Sequence, residues 1–206
     1  MNVHSDSLTP AEAAVIAGVS VRDVHRMIDE HILPDRFFIS ADTRSFKRQA
    51  CVFISFYFGS ADRLTAEERQ RTIALASKIR DWAKAKKVVQ DDFLTIDLAS
   101  FAKRVEDRWK RLGEARAQVV VDPEILGGTP IIRGTRVPVY DVAASVVAGI
   151  SMERILASYP SLNHEQVELA GLYVEANPQR GRPRQRSVPA GAVVLAKRRK
   201  PVSRSA

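Results

Sequence analysis

The chain has 206 residues, is 45% hydrophobic and 27% charged, and carries a formal net charge of +8. That is enough apolar material for more than one small core, so two domains with extensions are expected. No apolar run approaches the roughly 20 residues of a membrane span; the opening MNVHSDSLTPAEAA has no basic-then-apolar leader pattern; and the lone Cys51 excludes an internal disulfide and a cysteine-based zinc site.

These absences point to a cytoplasmic protein with no membrane association. The positive charge is unevenly placed. Residues 179–206 hold nine Lys or Arg and no acid, residues 119–177 hold three bases against seven acids, and residues 1–118 hold twenty against seventeen. The basic character therefore belongs to the C-terminal tail, and the folded body is nearly neutral.

Thr9-Pro10-Ala11-Glu12 is a compact helix start, with Thr at the N-cap, Pro at N1 and Glu at N3. This helix ends at Gly18-Val19-Ser20. Ser20 and Asp23 then form a second capping box, opening a helix that runs to about His31. Val24 and Ile28 face inward, while Arg22, His25, Arg26 and Asp29 share the opposite face. A capped helix, a Gly-containing turn and a second helix with a basic exposed face fit DNA-reading helix-turn-helix geometry.

The stretch LTPAEAAVIAGVS is similar to the opening of MerR-type and excisionase-type winged helices. That resemblance implies a wing over Phe37 to Phe46, with Arg44, Lys47 and Arg48 near phosphates, and a DNA-binding surface completed by Ser20, Arg22, His25 and Arg26. The plain alternative is a helical hairpin with a solvated charged face. Arginines on an exposed second helix favour DNA, because Arg reads base edges well.

From Lys47 the chain reads as an apolar helix, with Val52, Phe53, Phe56 and Tyr57 spaced for packing rather than for base stacking. Thr65-Ala66-Glu67-Glu68 caps a further helix expected to run to about Lys87, with Trp82 available for burial and Lys84, Lys86 and Lys87 complementing its C-terminal dipole. Phe93 to Ile96 reads as a strand, and Asp97 opens a helix reaching about Ala117. The two long helices are expected to brace the winged region, mediate dimerisation, or both.

Residues 119–178 read as a small self-contained unit. Val119 to Val121 stop at the turn pair Asp122-Pro123, and Gly127-Gly128 supplies backbone freedom. Ile131-Ile132 and Arg136-Val137, separated by Arg133-Gly134-Thr135, predict a tight hairpin with positive φ at Gly134. Three helices follow: one from Val139 closed by Gly149, one N-capped by Ser151 and ended by Pro160, and one opened by Asn163 with Gln166. The last two, joined by Tyr159-Pro160-Ser161-Leu162, have a helix-turn-helix outline.

The run DPEILGGTPIIRGTRVPV, with Gly149-Ile150-Ser151, Ile155-Leu156 and Tyr159-Pro160-Ser161-Leu162, closely resembles domain-of-unknown-function family 433. Members of that family are often VapB-type antitoxins of type II toxin–antitoxin modules. The resemblance implies such an antitoxin here, with a PIN-like ribonuclease as partner. Gly127, Gly128, Arg133, Gly134, Thr135 and Arg136 fall in the motif as structural turn residues.

Beyond Pro178 the chain is rich in Arg, Pro, Gly and Ser, a composition expected to be disordered when free. Arg180-Gly181-Arg182-Pro183 resembles an AT-hook core, which would place arginines in a narrow minor groove. The other use of Arg180, Arg182, Arg184 and Arg186 is to reach the acidic site of the toxin, since the Arg fork pairs with carboxylates.

Nothing points to catalysis or a cofactor. His4, His25, His31 and His164 are scattered without ligand spacing, and Gly127-Gly128-Thr129-Pro130 lacks the Lys-Ser/Thr of a phosphate loop. The expected protein is mainly α: a winged helix-turn-helix region with bracing helices over 1–118, a β-hairpin plus three-helix domain over 119–178, and a basic tail over 179–206. Its expected function is that of a homodimeric antitoxin that binds its own operator. A free-standing transcriptional regulator and an excisionase-like architectural protein are the alternatives.

Overall fold

The structure, a computed structural model, describes residues 7–40, 45–79, 86–90 and 94–179. Strand β1 (Ser7–Leu8) leads into α1 (Pro10–Ala17), whose capping box is complete: Thr9 accepts from the Glu12 amide while the Glu12 carboxylate accepts from the Thr9 amide at 2.8 Å. Gly18 closes α1 in the left-handed conformation at φ 71°, where a Cβ would be strained. The Ser20–Asp23 box then opens α2 (Val21–Asp29).

After a 3-10 turn at Asp35–Phe37, β2 (Phe38–Ser40) and β3 (Ser45–Lys47) pair antiparallel. β1 joins the other edge of β3, giving sheet order β1-β3-β2 with Ser7 opposite Lys47. Helix α3 (Ala50–Gly59) buries Cys51, Phe53, Ile54, Phe56 and Tyr57 around its whole circumference, as a central core helix must. Phe53 lies 4.7 Å from Phe37 and Phe56 lies edge-on to Phe101, so the aromatic stripe is packing.

The first correction comes after α4 (Ala66–Lys78). That helix begins at the expected Thr65–Glu68 box but stops at Lys78, with Ile79 extended. Lys87 belongs instead to β4 (Lys87–Gln90), which pairs with β5 (Leu94–Asp97), so Lys86 and Lys87 do not lie at the end of α4. β-branched Val88 and Ile96 sit directly opposite one another and both are buried, a cross-strand pair that outweighs local helix preference. Trp82 and Lys84 lie outside the described residues.

Helix α5 (Ala99–Ala117) has Leu98 at its N-cap, and the Asp97 carboxylate just before it accepts from the Ala99 amide at 2.7 Å. This helix, about 28 Å long at 1.5 Å per residue, buries one stripe through Val105, Leu112 and Ala115. It packs against α1 and α3.

The second correction concerns the hairpin at Gly134. Gly134 does hold positive φ (76°), and the Thr135 amide donates back to the Ile132 carbonyl at 3.0 Å. Its second arm pairs as expected at one point, where the Ile132 amide donates to the Val137 carbonyl at 3.0 Å, but the pairing goes no further than a bridge from Ile131 to Pro138. Pro138 has no N–H with which to extend a ladder, and the strand partner of β7 (Ile131–Ile132) is β6 (Val119–Val120).

Helices α6 (Val139–Val147), α7 (Met152–Ser158) and α8 (His164–Ala176) follow as predicted, with Gly149 at φ 72° and a complete Asn163–Gln166 box. Ser151 occupies the N-cap of α7, but its side chain makes no cap bond, a departure from the expected role. Ile132, Val139, Val142, Ile155, Val167 and Ala170 form the core of this unit. The other end of α8 joins the first core through Ala176, with Leu172 packed against it. The structure is thus mainly α, and among the described residues no helix is long and apolar enough to cross a membrane.

Candidate nucleic-acid interface

Helix α2 packs on α1, and α5 grips α1 at both ends. At the C-terminal end, Arg108 Nη1 donates to the Ala17 carbonyl at 3.2 Å, placing a cation at the negative end of the α1 dipole. The guanidinium fills the space under the turn so closely that a Cβ on Gly18 would lie 2.4 Å from its Cζ. At the N-terminal end, the Glu12 carboxylate that closes the capping box also pairs with Arg116, and both side chains are largely buried.

On that support, α2 buries Val24 and Met27 completely and Ile28 partly. Its outward face carries Arg22, His25, Arg26 and Asp29 together, as the spacing predicts. Arg22 is exposed and makes no hydrogen bond or ion pair with a described residue. Arg26 is occupied: its Nε donates to Glu30 Oε1 at 2.8 Å, and this bond and the Glu30 charge raise the guanidinium pKa above its ordinary value. His25 is half-buried. The Ser20 hydroxyl is engaged in the cap, donating to Asp23 at 2.7 Å and accepting from its amide at 3.1 Å.

The basic residues of the β2–β3 hairpin and the turn after it, expected near phosphates, have partners within the chain where they are described. Lys47 Nζ donates to the Arg36 carbonyl at 2.7 Å, fastening the hairpin to the turn before it, although two of its three ammonium hydrogens remain available. Arg48 faces α5, with Nη1 3.3 Å from Glu106 and the guanidinium over the Trp109 ring. Arg44 lies outside the described residues.

In the C-terminal unit the motif residues differ in what they do. Leu126, Gly127 and Gly128 run through three successive positive φ values, 49°, 62° and 78°. Thr135 braces the next turn by donating to the Ile132 carbonyl at 2.8 Å and accepting from the Val137 amide at 3.1 Å. Arg133 reaches back to α5, its Nε donating to the Ala117 carbonyl at 2.7 Å and its amide to the Gln118 carbonyl. Arg136 is exposed and bonds to no described residue. Arg180, Arg182, Arg184 and Arg186 lie outside the described residues.

Sequence reasoning missed the arginines that hold the assembly together. Arg108 and Arg116 find partners 91 and 104 residues away, separations at which no local spacing rule operates. Arg111 is a third: it meets Glu114 at 3.0 Å and both Glu165 and Glu168 of α8 at 3.1 Å. Two of the acids on the last helix are therefore engaged within the chain.

Comparison with known proteins adds three findings. DUF433, a family of proteins of unknown function, matches residues 119–174. The uncharacterized protein y4eO of Sinorhizobium fredii (strain NBRC 101917 / NGR234) is 47% identical over 214 residues, covering 97% of this chain and 95% of that protein. The X-ray crystal structure of Rv2018 from Mycobacterium tuberculosis aligns over 82% of this chain and 99% of its own at 16% identity, with a TM-score of 0.27.

Proposed function

The chain belongs to the family of Sinorhizobium fredii y4eO and carries a DUF433 segment over residues 119–174; on that premise we propose that it is the antitoxin of a type II toxin–antitoxin module. In this reading it neutralises a PIN-like ribonuclease and represses its own operon. The observation that carries the reading is that segment itself. Its GGTPIIRGTRVPV string folds as a braced turn with three helices, and α8 fastens it to a helical unit with a basic reading face.

Operator binding falls to α2. Its exposed face would enter a major groove, with Arg22 as the base reader because its guanidinium is free to present two parallel donors to guanine. Arg26 would first have to leave Glu30, and Lys47 would serve the backbone with its spare donors. Proteins of this kind pair across half-sites about one helical turn apart, so a homodimer is the operator-bound form. Toxin neutralisation would combine docking by the C-terminal unit with tail arginines that reach the acidic metal site of the ribonuclease. Arg180, Arg182, Arg184 and Arg186 are suited to carboxylates by their planar forks.

The test is co-expression of the tagged chain with the product of the adjacent reading frame. A stable complex that shifts a duplex from the shared upstream region is the expected result. Failure of the two products to co-purify removes the antitoxin reading, and a complex that shifts no duplex removes the autoregulatory half.

A further inference from the structure

A second basic surface lies beside the wing, where the start of α3 meets α5. An open cleft of about 730 Å³ is lined there by Arg48, Lys86, Lys103 and Lys110, with Glu106 and Asp107 as its acids. Arg48 and Glu106 largely satisfy each other at 3.3 Å. That leaves Lys86, Lys103 and Lys110 against Asp107, and no ammonium group of these three lysines bonds to or pairs with a described residue, although the Lys86 carbonyl accepts from the Leu98 amide at 2.7 Å. Lys103 and Lys110 stand two turns apart on α5, about 10 Å along its axis. The cleft continues from the wing itself, because Arg48 directly follows Lys47, the last residue of β3.

We propose that this cleft takes the phosphate backbone of duplex DNA beyond the stretch that α2 would read, a proposal that rests on the operator-binding reading above. Its free cations are lysines, point charges that neutralise phosphate without demanding a particular geometry, rather than forks that would specify a base or a carboxylate. A docked protein segment would need an apolar anchor at the centre of its contact. The apolar part of the lining is small and recessed, Ala99 and Ala102 with the buried Val52 and Val105, and no exposed large hydrophobic among the described residues joins it. A regular polyanion such as duplex DNA fits a surface of charge without such an anchor. Each phosphate neutralised releases counterions and steepens the salt dependence of binding.

The experiment uses the full chain, wild type and Lys103→Gln/Lys110→Gln. Two duplexes from the region upstream of its own reading frame serve as probes, one trimmed to the minimal bound stretch and one with flanks. On the flanked duplex the double variant is expected to bind about tenfold more weakly, with a slope of log affinity against log salt shallower by about 2. On the trimmed duplex it should match wild type, with an unchanged melting temperature. Arg22→Ala, run in parallel, should weaken both duplexes alike. Equal behaviour of the double variant and wild type on the flanked duplex, or equal losses on both, overturns the cleft while leaving α2 as the reader. Loss of ribonuclease inhibition with DNA affinity intact gives the cleft to the protein partner and also overturns it. Failure of wild type to bind either duplex overturns the operator reading and the cleft with it.

Discussion

Two side chains illustrate how much depends on what an arginine or a cysteine touches. Arg22 and Arg26 share one helical face, yet Arg26 is held by Glu30 at 2.8 Å and Arg22 bonds to no described residue. Arg22→Ala is therefore expected to weaken operator binding by roughly ten- to a hundredfold and to relax preference at one base pair. Gel shifts against single-substituted duplexes measure this, and an affinity that falls equally on every duplex would make Arg22 a backbone contact instead.

Cys51 is fully buried, and burial pushes its thiol up to about 12 from an ordinary 9.0. The folded chain thus keeps a proton that the unfolded chain loses between those values, so stability falls as pH rises through that window. Urea melts at pH 9.5 and 10.5 should show wild type losing about 1.4 kcal/mol more than Cys51→Ala over that unit. Parallel losses in the two proteins would mean that the thiol ionises in place.

At the scale of elements, the turn between α1 and α2 is the most tightly specified. Gly18→Ala faces both a positive φ of 71° and the Arg108 guanidinium 2.4 Å from the new Cβ. A cost of about 1–3 kcal/mol is expected, part of which should disappear in an Arg108→Ala background, since the two residues share one space. Chemical denaturation of the four proteins of that cycle gives the coupling. Strict additivity would place Arg108 elsewhere.

What was legible in the sequence follows from the same distinction between local and distant causes. The boxes at Thr9, Ser20, Thr65 and Asn163 each involve residues three apart, and all four formed. The helix opened at Thr65 reads in the sequence as far as about Lys87, because the strand that Lys87 begins depends on a partner, Leu94 to Asp97. Ile131-Ile132 meets the nearer arm only through the Ile132–Val137 bond and the bridge to Pro138, and the ladder that sequence reasoning missed runs to Val119-Val120, more than ten residues back. In the candidate site the reading face of α2 followed from helical spacing alone. The engagement of Lys47 and Arg48 did not, because Arg36 and Glu106 reach those side chains only through tertiary packing, whereas the Arg26–Glu30 pair is a local i,i+4 contact that sequence reasoning passed over.

For the molecule as a whole, α8 decides how independent the two halves are. Ala176 is buried in the first core with Leu172 packed against it, Val167 and Ala170 belong to the second, and Arg111 clamps the start of α8 through Glu165 and Glu168. Residues 7–179 are therefore expected to unfold in one calorimetric transition. A fragment ending at residue 118 should melt several degrees lower, because α1 and α5 lose the helix that covers them. Two resolved transitions, or a fragment as stable as the whole, would mean that α8 adds little to the first core.

The antitoxin reading joins these scales: a base reader on α2, a turn locked by Arg108, and a C-terminal unit fastened by α8. Its most direct test is the ribonuclease activity of the neighbouring gene product, titrated with this chain. Activity should fall to background as the chain approaches a fixed stoichiometric ratio to the enzyme. Undiminished activity at a large molar excess of the chain would contradict the account.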